Sequence, residues 1–147
     1  MGIKETGLLG RQDKLLTFGA TGKISTAGTY ACGGSDGVVL DMFNGDTNPK
    51  AQIANLEGFS VNFKIDAALT ATTAVFKVQV CDTADGTYKD AAVSREVATA
   101  ELVEGASFPV AVPRGTVEGR FVKAVVVTTG TGGNGVVSAC VDTFAGV

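Results

Sequence analysis

The sequence predicts an all-β domain, a sandwich or a barrel, and three observations lead there. From residue 58 onward apolar residues recur at every second position, the period of a half-buried strand. Turn residues interrupt these runs at intervals of about 8–12 residues, the spacing of antiparallel sandwiches. Helical spacing is hard to find, and without alternating helices a βαβ fold has no crossovers.

The elements follow in chain order. Residues 1–13 hold no clear period and read as an extended arm, leaving 14–147 as a single domain. The arm nevertheless carries Ile3, Leu8 and Leu9, with Leu15 and Leu16 just beyond, among Lys4, Arg11 and Lys14. That many large aliphatics imply packing, either on its own sheet or on a neighbouring molecule. Lys14–Phe18, Lys23–Thr26, Thr29–Cys32 and Val38–Phe43 read as short strands between glycine turns. Asn44-Gly45-Asp46-Thr47-Asn48-Pro49 is the strongest loop signal, since Asn-Gly and Asn-Pro both break regular structure.

Phe59–Asp66 alternates without a fault, and Val75–Cys81 repeats the pattern with Phe76, Val78 and Val80 on one side. Between them Ala67–Ala74 reads as a connection. Asp85-Gly86 supplies a turn into a short extended stretch, Thr87–Lys89. Glu96–Val103, Phe108–Val112, Arg120–Thr129 and Val136–Phe144 are further strand candidates, and about eight or nine strands are expected to form from these candidates. Gly105, Pro113, Gly115, Gly119 and the Gly130–Gly135 cluster punctuate them.

Composition narrows the function. The 147 residues include no His and no Trp, which removes Ser/His/Asp and Cys/His arrangements, HExxH zinc sites and the usual near-neutral base. Net charge is −3, with twelve scattered basic residues rather than the dense basic face that phosphate neutralisation demands. Nucleic acid is therefore not an expected partner. Nor is a membrane, because no apolar run approaches the ~20 residues of a spanning helix. The N-terminus lacks a signal-peptide core. Cys32, Cys81 and Cys140 are odd in number, far apart and set among apolar residues, so they read as small buried hydrophobes in a reducing compartment.

Several motifs invite chemistry and read better as structure. Gly130-Thr131-Gly132-Gly133-Asn134-Gly135 matches GxGxxG, but a β-branched run follows where a dinucleotide site needs a helix. Gly19–Ile24 resembles a P-loop, yet Thr17 stands at the first glycine position and Ile24 at the magnesium-binding hydroxyl. Asp82–Gly86 lacks EF-hand spacing and reads as an acidic turn. Asp41, Asp46 and Asp66 could pair in space as glycosidase carboxylates do, although only Tyr30 and Tyr88 could serve as sugar-stacking rings besides phenylalanine. Arg120 reads as a strand-edge residue beside Phe121, with a charged partner contact through Arg120 and Lys123 as the alternative. No metal, cofactor or catalytic residue is expected.

Four pieces in the second half carry a resemblance. They are Phe76–Gly86, Ala100–Gly105, Val110–Pro113 leading to Arg120–Ala124, and Gly130–Gly135 leading into Val136–Val141. In this order and spacing the run from Val75 to Asp142 resembles the Bbp16-like capsid cement (decoration) proteins of tailed bacteriophages. The resemblance implies a jelly-roll β-sandwich of about eight strands, a homotrimer, and binding to the outer surface of the major capsid protein lattice. It implies no enzyme activity, and it places the protein in the virion after synthesis in the host bacterial cytoplasm.

On that basis the expected capsid contacts are Ile3, Leu8, Leu9 and Arg11 in the arm, and Asn44, Asp46, Asn48 and Lys50 in the loop. The alternative expectation is a carbohydrate-binding jelly-roll module, with Tyr30, Tyr88 and surface carboxylates forming a shallow site. Another is a structural subunit of a phage tail or neck.

Overall fold

The computed structural model describes residues 17–34, 37–41, 59–71, 73–112, 121–130 and 135–142. Among them lie ten strands: β1 Thr17–Ala20, β2 Gly28–Ala31, β3 Leu40–Asp41, β4 Phe59–Ala67, β5 Thr73–Cys81, β6 Lys89–Val93, β7 Val97–Ala98, β8 Ser107–Val112, β9 Phe121–Thr129 and β10 Val136–Asp142. A 3-10 turn, Thr99–Glu101, is the only helical element among the described residues. The all-β expectation therefore holds.

The strands form two antiparallel sheets. The first has the order β1-β10-β4-β8 and the second the order β2-β9-β5-β6. β3 also pairs with β9, and β7 with β5. Each sheet turns one face inward because side chains alternate along a strand. Val61, Phe63 and Ile65 of β4 meet Ala74, Phe76, Val78 and Val80 of β5, all buried. The Phe76 ring lies 5.1 Å from Phe63 in the opposite sheet and 5.1 Å from Phe108. Val122, Ala124 and Val126 of β9, with Val137, Ala139 and Val141 of β10, complete the core. The long strands were the strongest expectations because an unbroken period of two leaves only one face to bury.

Three strand expectations change. Lys23–Thr26 joins no sheet. Its neighbourhood is fastened beside β10 by Thr21 N–H donating to the Val137 carbonyl at 2.7 Å and Ile24 N–H to Gly135 at 2.8 Å. Glu96–Val103 is a strand only at Val97–Ala98. The 3-10 turn then swings Leu102, 1% exposed, into the core, where Leu69 N–H donates to its carbonyl at 3.0 Å. Strict alternation could not have buried both Val97 and Leu102, which stand an odd number of residues apart. Finally, the strand expected at Thr87–Lys89 begins at Lys89 and runs on to Val93, with the Tyr88 hydroxyl held by the Ala84 carbonyl at 2.9 Å.

No helix among the described residues is long and apolar enough to cross a membrane. The arm, residues 1–13, and the loop from Asn44 to Lys50 lie outside the described residues.

Candidate functional site

All eight expected contact residues, Ile3, Leu8, Leu9, Arg11, Asn44, Asp46, Asn48 and Lys50, lie outside the described residues. The candidate chemistry that can be placed sits on the two outward faces of the sandwich.

The sheets present opposite characters to the outside. On the β2-β9-β5-β6 sheet, the outward positions of β5 and β9 include Val75, Val127 and Phe121, all half-buried. Val125 also holds an outward register yet is only 4% exposed, while Val93 of β6 is 50% exposed. Lys77 crosses this face to Asp90 at 3.2 Å, and the Gln79 amide donates to the same carboxylate at 2.9 Å. The Gln79 bond, helped by Lys77, holds the Asp90 carboxyl below its ordinary range. Lys123 lies over the Tyr88 ring, with its Nζ 4.5 Å from the ring centre.

The β1-β10-β4-β8 sheet presents a polar recess of about 350 Å³. Its rows follow from the register. Thr17 stands opposite Cys140, Cys140 opposite Asn62, and Ser138 opposite Lys64. Asp66 has no opposite number, because β10 passes from pairing Ala67 to pairing Ile65 and leaves it as the extra residue of a bulge. Bulges of this kind re-aim a side chain at the edge of regular pairing. Asn62, Lys64, Asp66 and Ser138 make no side-chain hydrogen bond or ion pair among the described residues. Of these residues, the sequence offers only Asp66 as a candidate for chemistry. The alternation Asn62, Lys64, Asp66 was a legible signal for one shared face, but the cross-strand neighbour Ser138 was not.

The motifs set aside in the sequence are structural. Ile24 of the P-loop-like run is buried, and no helix follows it. The last glycine of the GxGxxG run opens into strand β10, and a Cβ on Gly135 would stand 2.9 Å from Leu69 Cγ. Glycine is needed there for packing. Asp82–Gly86 forms the turn after β5, with Gly86 N–H donating to the Thr83 carbonyl at 3.3 Å. Among the described residues no group of three or more His, Cys, Asp or Glu side chains could hold a metal ion. Asp41 lies on β3 in one sheet and Asp66 on β4 in the other, and Asp46 lies outside the described residues. Tyr30 and Tyr88 do not share a platform either. Tyr30 stands opposite the inward Val126 and packs against the core, whereas Tyr88 sits under Lys123 on the outer face.

The three cysteines form no disulfide. Cys32 is fully buried where the sheets meet, its N–H donating to Ala124 at 2.9 Å and its thiol facing the Val137 carbonyl. Burial, reinforced by the negative charge of Asp66, pushes the Cys32 thiol up to about 12 from 9.0. The folded chain thus keeps a proton that the unfolded chain releases above pH 9. Stability contributed by this group is complete below pH 9 and falls as pH rises toward 12, by at most about 1.4 kcal/mol per pH unit. Denaturant midpoints at pH 8, 9 and 10 should therefore drop more steeply in the native chain than in Cys32→Ala; parallel slopes would contradict the assignment.

No protein-family model matches this chain, and no curated protein matches it.

Proposed function

We propose that the sandwich is a jelly roll and that the protein is a capsid cement protein, binding the outer surface of a tailed-phage capsid lattice as a trimer and stabilising the expanded shell. The observation that carries this reading is the nesting of the strand pairs. β1 pairs β10, β2 and β3 pair β9, β4 pairs β8, and β5 pairs β6 and β7. Four nested antiparallel pairs wound into two sheets support the jelly-roll reading. The four sequence pieces that carry the cement-protein resemblance run from β5 to β10 within that wrapping.

Physical chemistry supports the role. A protein that binds only the expanded lattice stabilises it by mass action, as any ligand of one state does. Around a three-fold axis one modest contact is used three times, so weak contacts combine. The half-buried valines outside the second sheet offer apolar area for subunit contact.

Electron microscopy of the parent particle tests the reading, which expects 14.9-kDa subunits in trimeric density on the outer capsid surface. A bare surface would refute it. Deleting residues 1–13 should leave a folded oligomer while lowering capsid occupancy by about tenfold or more, since three arms act together. Unchanged occupancy and unchanged capsid heat stability would remove the arm from the contact.

A further inference from the structure

We propose that the recess outside the β1-β10-β4-β8 sheet is a binding site for a neutral, hydroxyl-rich small ligand, in chemical class a saccharide unit. The proposal is independent of the capsid reading and rests on four side chains that share one concavity.

Asn62, Lys64, Asp66 and Ser138 line the recess without satisfying one another. Their hydrogen-bonding capacities are complementary to a hydroxyl cluster. Lys64 only donates, Asp66 only accepts, and Asn62 and Ser138 do both. A sugar hydroxyl donates and accepts at once, so neighbouring hydroxyls can use a carboxylate and an ammonium together. An anion would use only the donors, and a cation only the acceptors.

Charge points the same way. Among the described residues one ammonium and one carboxylate line the recess, so their charges sum to zero and favour neither phosphate nor a divalent cation. Polar side chains predominate among the described lining residues, whereas pockets for apolar ligands are lined mainly by hydrophobic and aromatic side chains. The bulge adds a reason for Asp66 to be there: it removes that residue from the ladder and leaves its carboxylate at the end of the recess. A volume of about 350 Å³ accommodates one or two sugar rings rather than a long chain. No aromatic ring among the described residues lines the recess, so without stacking single-site affinity should be about millimolar.

The test is a panel of neutral mono- and disaccharides screened against the intact chain by saturation-transfer NMR, with inorganic phosphate as a separate probe. At least one saccharide should bind. Asp66→Asn and Lys64→Ala should each weaken it about tenfold or more, the scale of a lost charge-assisted hydrogen bond. Lys77→Ala, on the opposite sheet, should leave it unchanged. The same saccharide should slow alkylation of Cys140, which lines the recess and is half-buried while Cys32 and Cys81 are buried. Lys64 and Asp66 are both exposed, so neither substitution threatens the core. Binding of phosphate alone, no binding by the folded protein, or saccharide binding indifferent to both variants overturns the proposal. If no saccharide binds and the same variants reduce capsid occupancy, the recess is a protein contact and the saccharide assignment falls while the capsid reading stands.

Discussion

Replacing Phe76 by alanine should cost about 3–5 kcal/mol, the range for deleting a fully buried aromatic side chain. Phe76 is 0% exposed and is stacked on Phe108 with an interplanar angle of 13°, while Phe63 closes over it from the facing sheet at 39°. Its ring is therefore shared between the two layers, and the cavity left behind is walled on both sides by β-strands that cannot collapse independently. For a domain of this length the melting temperature should fall by roughly 10 °C or more. Phe76→Leu fills most of the space and should lose much less. Urea titrations of the three proteins give the comparison. Equal losses in the alanine and leucine variants would mean that ring volume at Phe76 does not tie the sheets together.

Gly33→Ala should be nearly as damaging for a different reason. The residue follows Cys32 where the chain turns back after β2, at φ +102°, which an L side chain rarely adopts. An added Cβ would also stand 2.6 Å from both the Phe18 carbonyl oxygen and the Val38 amide nitrogen, and would overlap the Val38 side chain. Neither backbone atom can move freely. Gly33 N–H donates to the Ala20 carbonyl at 2.9 Å, and Val38 N–H to the Cys32 carbonyl at 2.9 Å. Gly34 provides the control, with a similar φ of +107° and nothing within 4 Å of the added atom. Gly34→Ala should cost about 1–2 kcal/mol from backbone conformation alone, and Gly33→Ala at least about 3 kcal/mol. Denaturation midpoints that do not separate the two variants would show that the close approach at Gly33 is relieved by small shifts.

The legibility of the fold followed the regularity of the pattern. β4 and β5 were readable almost residue by residue, because each is long and keeps apolar side chains on one side. β9 was readable as a strand but not in its exposure, since Val125, Val126 and Val127 break the alternation and Val125 is buried on the outward register. Lys23–Thr26 and Glu96–Val103 failed for a shared reason. In short segments, a few tertiary hydrogen bonds and one buried side chain, Ile24 or Leu102, outweigh local propensity.

The recess was less legible than the core. Asn62, Lys64 and Asp66 could be assigned one face from spacing alone. Ser138, Cys140 and Thr17 join them through pairings of β10 with β4 and β1, across separations that no local pattern encodes. The two tyrosines illustrate the converse. Similar as isolated sequence features, they are separated by the sheet itself, one turned toward the core and one lying beneath Lys123.

Composition excluded histidine chemistry, and period-two burial with glycine punctuation, both local properties, determined an all-β chain and most of its strand positions. Strand partners, the bulge that sets Asp66 apart, the burial of Leu102 and the opposite character of the two outer faces were decided only in three dimensions. The physical reason is that a strand's hydrogen bonds and half of its packing come from other strands, so its neighbours depend on how the whole chain closes around one core.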